Sequence, residues 1–226
     1  MRKIVTLIAV VAVMCGAVPA FADNFEELLR KAQRGNVSAQ NDLGYKYLTE
    51  ENYEEAFEWF LRSAGNGFAP AQHNLGKMYA IGEGIKQNYK EALRWYLKAA
   101  EQGYPPAQSD LGTMYFNGEG VKKNDKEAFK WYYLAAEKGN IPAQYNLGNC
   151  YSQGIGVKQN YEEAAKWYRK VAVLGIAQAQ YNLGIMYYKG EGVVQDTSEA
   201  IRWLRKAARQ DFAPAQDGLK RLGESW

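Results

Sequence analysis

Side chains that commonly carry chemistry are scarce in this sequence. His73 is the only histidine, and Cys150 is the only cysteine outside the amino-terminal segment. Zinc sites need several histidine or cysteine ligands, so none can be assembled. A nucleophilic triad would require His73 beside a serine or cysteine, and no motif indicates this. The Ser-x-x-Lys motif of serine hydrolases is absent, because no serine is followed by lysine three positions later. We therefore expect no catalytic residue, no metal site and no cofactor.

An internal repeat organises the chain instead. Ala-Gln recurs six times, first after 32 residues and then after 36 each time. Leu-Gly follows four residues after the alanine in five copies, and a tyrosine follows four residues after the leucine. The second half of each copy carries an alanine three residues before a tryptophan. The five tryptophans are 36 residues apart, at Trp59, Trp95, Trp131, Trp167 and Trp203.

Both halves of the repeat have the spacing of helices. In the first half, Ala71, Leu75 and Tyr79 are four residues apart and share one helical face. The second half opens with Asn or Asp followed by Glu three residues later, which predicts a capping box, at Asn52, Asn88, Asn124, Asn160 and Asp196. A cation lies three residues beyond four of these glutamates and is expected to pair with them in solvent, at Arg94, Lys130, Lys166 and Arg202.

Glycines recur at three registers. Pairs such as Gly118 and Gly120 separate the two helices of a repeat and predict a turn. Single glycines such as Gly103 follow the second helices and predict left-handed caps. The glycine inside each first helix, such as Gly112, costs about 1 kcal/mol, so we expect a Trp or Tyr of an adjacent helix to approach it closely. The tryptophans are accordingly expected in the core, and Cys150, which replaces methionines of other repeats, is expected to be an apolar filler.

The amino-terminal segment predicts export. Arg2 and Lys3 precede an apolar run at residues 4–18, and Ala-Phe-Ala at 20–22 has the pattern that signal peptidase cleaves. We expect cleavage after Ala22 and a periplasmic or secreted protein. The run of about 15 residues is shorter than the ~20 that span a bilayer, which leaves an uncleaved anchor as the less favoured alternative.

Composition and charge limit the partners. The chain is 47% hydrophobic and has a formal net charge of +3. Removal of the signal segment takes away two basic residues and leaves 26 basic against 25 acidic residues. A chain this close to neutral has no general attraction to nucleic acid or anionic lipid. We therefore expect no nucleic-acid partner and no membrane association after cleavage.

The copies and their flanks divide the chain into segments. Residues 25–34 align with a second helix and residues 215–222 with a first helix, so both ends are predicted to cap the array. The predicted segments are a signal peptide at 1–22, an N-terminal capping helix at 23–36, repeats at 37–68, 69–104, 105–140, 141–176 and 177–212, and a C-terminal capping helix and tail at 213–226.

The repeat resembles a known family. The pattern A-x-x-x-L-G-x-x-Y, then G-E-G-V, then A-x-x-W-Y-x-x-A-A-x-x-G is similar to the Sel-one-like repeat, a relative of the tetratricopeptide repeat. The resemblance implies an all-α, right-handed superhelical α/α solenoid of about five helix-pair repeats with a capping helix at each end. It also implies an exported bacterial adaptor that recruits other proteins. Cysteine-rich members are described as β-lactamases, but they carry paired cysteines in each repeat, which this chain lacks.

Positions that differ between repeats are the ones available for recognition. On the first helices they recur four residues apart, on a face away from the invariant residues. In similar folds the first helices line a concave groove, so the resemblance implies a site for a protein or an extended peptide at His73, Lys77, Ser109, Thr113, Tyr145, Asn149, Tyr181, Ile185 and Tyr188. Aromatic anchors combined with polar groups suit a peptide.

Other interpretations remain open. The tyrosines of the groove could simply cover a solvent-facing helix surface. A β-lactamase-like hydrolase, by family analogy, and a self-assembling scaffold are the alternative functions, although we expect a monomer.

Overall fold

Helices account for all the regular structure that the computed structural model describes, which covers residues 20–226, with side chains from residue 24 onward. The predicted all-α chain of helix pairs is confirmed over these residues. The predicted signal peptide lies outside them except for residues 20–22, which begin the first helix. The helices are α1 (Ala20–Gln33), α2 (Val37–Thr49), α3 (Tyr53–Gly65), α4 (Ala69–Ile81), α5 (Tyr89–Glu101), α6 (Pro105–Asn117), α7 (Asp125–Glu137), α8 (Ile141–Gln153), α9 (Tyr161–Ala172), α10 (Ala177–Lys189), α11 (Thr197–Ala208) and α12 (Ala213–Arg221).

Two compact units divide the chain after Asn88. The first unit contains α1–α4. Its core joins Ala32 of α1 to Ala39 and Leu43 of α2, with Trp59 of α3 packed against them. The prediction that an additional second-type helix caps the first repeat is therefore confirmed by its packing.

The second unit contains α5–α12 and is built by stacking each helix pair on the preceding pair. Trp167 of α9 packs with alanines of α7 and with Leu147 of α8. Trp203 of α11 packs in the same way on α9 and α10. At the end of the unit, Ala215 and Leu219 of α12 pack on α11, as the prediction of a C-terminal cap requires.

The tryptophans differ in burial, and the prediction that all five belong to the core is wrong for three. Trp167 and Trp203 are 5% and 8% exposed, whereas the other three are half-buried. A cation lies over each of the five rings. The distance from the cation to the ring centroid is 3.7 Å for Lys170 and 4.0 Å for Lys206 at the two buried rings. It is 4.2–5.6 Å at the half-buried ones.

Three of the glycines inside the first helices, Gly44, Gly112 and Gly148, make room for a ring, whereas the expectation of a ring is wrong for Gly184, which faces the side chain of Leu204. A Cβ at Gly112 would lie 2.7 Å from the ring of Tyr132, and one at Gly148 would lie 2.7 Å from the ring of Tyr168. The partner is not the recurring tryptophan but the residue that follows it. The glycine therefore sets how closely the two helices of a repeat can approach.

The paired glycines form the predicted turns and also join successive repeats. Gly154 has a φ of 74° and ends α8 as a left-handed cap. Gly156 rests directly on the start of α7 in the preceding repeat, where an added Cβ would overlap the carbonyl oxygen of Asp125. Each repeat is thus held by the turn of the next one.

The N-cap half of the predicted capping box is confirmed in three of the repeats, but the expectation that the Glu reaches back is wrong there, because the N–H of the capping residue donates to the carbonyl of Tyr115, Tyr151 or Tyr187. The side chains of Asn124, Asn160 and Asp196 accept hydrogen bonds from backbone N–H groups at the starts of α7, α9 and α11. The prediction is wrong for Asn52, which makes no such bond within the described part of the chain. Its repeat lacks the two-glycine turn, and its backbone has a φ of −86° instead of the extended value of about −150° at the other caps.

The capping glutamates pair with the cations one helical turn later, as predicted. The distances from nitrogen to oxygen are 2.6 Å for Lys166 with Glu163 and 3.0 Å for Arg202 with Glu199. These cations are mostly exposed, so each pair contributes only a few tenths of a kcal/mol, about 0.2–0.5.

A glutamine bond that spacing alone did not predict recurs throughout the array. The glutamine of each Ala-Gln donates its side-chain N–H to the carbonyl oxygen of an alanine eight residues earlier, near the end of the preceding second helix. The N–O distances are 3.0–3.2 Å at Gln40, Gln72, Gln108, Gln144, Gln180 and Gln216. The same carbonyl also accepts from the backbone N–H three residues later, so the glutamine supplies a second hydrogen bond at the end of the helix.

Candidate functional site

Three hollows follow one another along the first helices of the second unit. Hollow 1, of about 250 Å³, lies at α6 and α8 and is bordered by Thr113, Phe116, Asn117, Tyr132, Asn146, Asn149, Cys150 and Ile155. Hollow 2, of about 430 Å³, lies at α8 and α10 and is bordered by Tyr145, Asn149, Ser152, Gln153, Tyr161, Tyr168, Tyr181, Asn182, Ile185, Met186 and Glu191.

Hollow 3, of about 540 Å³, lies between α10 and α12 and is bordered by Tyr181, Ile185, Tyr188, Lys189, Leu204, Ala213, Pro214, Asp217, Gly218, Arg221 and Leu222. Asn149 borders both hollow 1 and hollow 2, and Tyr181 and Ile185 border both hollow 2 and hollow 3. The three hollows are therefore neighbours along the first helices, and we call this row of hollows the trough.

Polar groups on the floor of the trough are supplied by the rings that pack under the helical glycines. The hydroxyl of Tyr132 lies 3.1 Å from Oγ1 of Thr113. The hydroxyl of Tyr168 donates to Oδ1 of Asn149 at 2.7 Å and lies 3.2 Å from Oγ of Ser152. Burial raises the pKa of Tyr132 and of Tyr168 to about 12, so both hydroxyls stay protonated and remain donors at neutral pH.

Aromatic side chains form the walls of the trough. The rings of Tyr145 and Tyr168 have centroids 5.8 Å apart, and those of Tyr181 and Phe212 are 5.6 Å apart. Such pairs hold the tyrosines in place while leaving part of each ring exposed. Tyr188 stands more freely at the rim, with 43% of its surface exposed.

The structure brings six of the nine predicted residues together on the trough: Thr113, Tyr145, Asn149, Tyr181, Ile185 and Tyr188. His73 and Lys77 lie on α4 of the first unit, where the first is half-buried and the second exposed. The expectation that Ser109 faces solvent is wrong, because only 5% of its surface is exposed. Tyr145 and Tyr181 occupy the same position in later repeats, and their longer side chains reach the surface of the trough, which the serine side chain does not.

Several residues of the trough escaped the sequence analysis. Asn146 and Asn182 occupy a register that also carries Asn74 and Asp110. The recurrence of a polar side chain at this position of the first helices could have identified Asn146 and Asn182 as candidate site residues. The residues of α12 that border hollow 3 were treated only as part of a cap.

Cys150 borders hollow 1, and its thiol has low reactivity. It is 2% exposed, and burial together with the nearby Asp125 raises the pKa of its thiol to about 12. Since the thiolate is the reactive form, the thiol is inert at neutral pH. The prediction of an apolar filler is confirmed.

No group of three or more His, Cys, Asp or Glu side chains within residues 24–226 could hold a metal ion. Of the helices described here, none is both long enough and apolar enough to span a bilayer.

Comparison with known proteins identifies the repeat. The Sel1 repeat pattern matches residues 37–68, 69–104, 105–140, 141–175 and 177–212. The structure of a protective antigen of uropathogenic Escherichia coli with an SLR fold is similar, with a TM-score of 0.81 and 38% identity, over 85% of this chain and 42% of that protein. The structure of a Sel1 repeat protein of Oxalobacter formigenes gives a TM-score of 0.74 and 39% identity, over 80% of this chain and 74% of that one.

The present chain thus spans less than half the length of the Escherichia coli protein. None of the curated proteins compared matches it. The five matched repeats, together with the helix pairs and their packing, place the chain in the Sel1 repeat family, whose members are typically adaptors that bind other proteins and are generally not enzymes.

Proposed function

We propose that this protein is an adaptor that holds an extended segment of a partner protein in the trough of its second unit. The observation that supports this most is the row of three neighbouring hollows that share Asn149, Tyr181 and Ile185 on their borders. A single small molecule needs one enclosed pocket, whereas a linear ligand needs a row of neighbouring ones.

The polar groups of the trough suit a peptide backbone. Asn146 and Asn182 border successive hollows, and a carboxamide offers both donors and an acceptor. The bond from Tyr168 occupies the acceptor of Asn149 and does not use its N–H donors. Backbone carbonyls and N–H groups of an extended segment would find partners at regular intervals here, and the tyrosine walls would contact its side chains.

The two alternative functions have less support. A hydrolase rests on analogy with cysteine-rich relatives alone, and the sequence offers no catalytic motif for it. Self-assembly through the ends of the array would require apolar terminal faces. The terminal helices instead expose charged side chains, namely Glu26, Glu27 and Arg30 on α1 and Asp217, Lys220 and Arg221 on α12.

The role of the trough in binding can be tested with a substitution that introduces a residue type already present at the same position of another first helix. Ile185→Lys places on α10 the residue type that Lys77 and Arg221 provide at the same register. Combined with Tyr188→Ala, it should lower the affinity for a captured partner at least about tenfold, because loss of an interface anchor costs more than 1 kcal/mol. The measurement is a quantitative pull-down followed by titration of the purified partner.

Tyr133→Ala is the matched control. Tyr133 is 41% exposed, close to the 43% of Tyr188, but it lies on α7 away from the trough. The control should bind normally, and both variants should melt within a few degrees of the unmodified protein. Equal binding by the two variants would rule out the trough as the site.

We also propose that the protein is exported and that the segment 1–22 is removed on the way. The basic start, the short apolar run and the Ala-Phe-Ala sequence support this. Amino-terminal sequencing of the protein purified from a bacterial host with intact secretion should begin at Asp23. A start at Met1 in fractionated periplasm would contradict the proposal.

A further inference from the structure

Hollow 3 differs in character from the rest of the trough. It is the largest of the three hollows, and Tyr181, Ile185, Leu204 and Leu222 give it an apolar surface. Leu204 belongs to the core and is 1% exposed, so it forms a rigid floor. A space of this size and lining can receive one large apolar side chain.

A single residue of α12 opens this space. Gly218 stands at the register where α8 and α10 carry Asn146 and Asn182. A Cβ at Gly218 would meet only Leu204, at 3.9 Å, so close packing does not require glycine there. Glycine is otherwise a poor residue for a helix interior. The absence of a side chain at this register is what keeps hollow 3 open.

The charge around hollow 3 has a positive excess. Lys189 pairs with Glu191 at 3.6 Å, and Asp217 pairs with Lys220 at 3.9 Å. Arg221 borders the hollow and is exposed, and no ion pair engages it among the described residues. Hollow 1 has no charged side chain on its border, and hollow 2 has only Glu191. The unbalanced cation of the trough is therefore Arg221, at the end formed by α12.

Resting on the proposed peptide-binding function, we propose that hollow 3 receives the C-terminal residue of the bound segment. The residue has an aromatic or branched aliphatic side chain, which enters the hollow, and its terminal carboxylate pairs with the guanidinium of Arg221. Arginine is suited to this because its planar fork matches the two oxygens of a carboxylate. An amino terminus would gain no such pair with Arg221, so this contact also favours one direction of the segment along the trough.

Synthetic octapeptide pools test this assignment with the full chain as the receptor. One pool ends in free carboxylates, and a second pool of the same composition ends in amides. We expect the immobilised protein to enrich peptides that end in Phe, Tyr, Leu, Ile or Val from the first pool. The amide of the best peptide should bind at least about tenfold more weakly by fluorescence anisotropy, which corresponds to ~1.4 kcal/mol.

Three variants locate the contact. Arg221→Gln should weaken the acid about tenfold and remove the difference between acid and amide. Lys220→Gln, which removes the neighbouring exposed cation that does not border the hollow, should leave that difference intact. Gly218→Asn, which restores the residue of α8 and α10, should fill the hollow and remove the preference for a large final side chain while the helical signal is unchanged.

The outcomes separate this inference from the function on which it rests. Acid and amide peptides that bind equally through the trough, and lose binding in the Ile185→Lys, Tyr188→Ala variant, would overturn the terminal site and keep the adaptor. A preference for an acidic side chain inside the peptide would also overturn it. Enrichment of no peptide from either pool would count against both proposals.

Discussion

Gly156→Ala is expected to lower the free energy of unfolding by about 3 kcal/mol. Two costs add at this position. The backbone φ is 69°, and a residue with a Cβ pays about 1–2 kcal/mol in that left-handed region. The added Cβ would also overlap the backbone carbonyl of Asp125 at the start of α7, and overpacking typically costs about 1–3 kcal/mol. A carbonyl inside a helix cannot rotate away, so the turn of one repeat would have to separate from the preceding repeat.

Gly154→Ala supplies the control from the same turn. Its φ of 74° is almost the same, but a Cβ there would lie 3.5 Å from its nearest neighbour, in ordinary contact. It should cost only the conformational part, about 1 kcal/mol. Urea denaturation of both variants, followed by circular dichroism, measures the difference. Equal losses would mean that the contact between repeats contributes nothing.

Gly148→Ala is expected to cost about 2 kcal/mol even though alanine is the better helix former. The substitution gains up to about 1 kcal/mol of helix propensity. It also drives a Cβ to 2.7 Å from the ring of Tyr168, which is held by its hydroxyl bonds to Asn149 and Ser152. Because the ring cannot withdraw without losing those bonds, the overpacking cost of about 1–3 kcal/mol dominates.

Two comparisons isolate the ring as the cause. Gly218→Ala in α12, whose Cβ would have 3.9 Å to Leu204, should be neutral or stabilising by up to ~1 kcal/mol. In a Tyr168→Ala background, Gly148→Ala should likewise become stabilising, and the coupling between the two sites should be about 2–3 kcal/mol. The free energies come from chemical denaturation of the four chains of the cycle. Additive effects would show that the glycine is there for another reason.

The fold could be predicted from the sequence because the repeat carries its own internal comparison. Positions that stay constant in five copies serve packing, and the spacing of Ala71, Leu75 and Tyr79 already indicates a helical face. The glycine beside a ring could be inferred as well, since a glycine that recurs inside five helices indicates a compensating contact. Which ring fills that space could not be inferred, because spacing does not distinguish the tryptophan from the residue after it.

The recognition surface was harder to predict because variation between repeats does not show whether a side chain is long enough to reach that surface. Ser109 and Tyr145 share a register, yet only the tyrosine is long enough to border the trough. The glutamine bonds were missed for a different reason. The acceptor of Gln144 is the carbonyl of Ala136, and a main-chain group leaves no trace in a pattern of side chains. Hollow 3 depends on the missing side chain of Gly218 in α12. This helix belongs to an incomplete copy of the repeat, so comparison with the other copies is least informative there.

The glutamine bonds and the turn glycines have an evolutionary consequence. Both contacts reach only the adjacent repeat, and both end on main-chain groups that any copy of the motif supplies. A gene segment encoding one whole copy can therefore be duplicated or lost with every junction still matched, because the new neighbour presents the same carbonyls in the same register. Array length is consequently free to drift between species while local geometry is conserved. The Escherichia coli protein, of which the match covers 42%, superposes closely on this chain with a TM-score of 0.81.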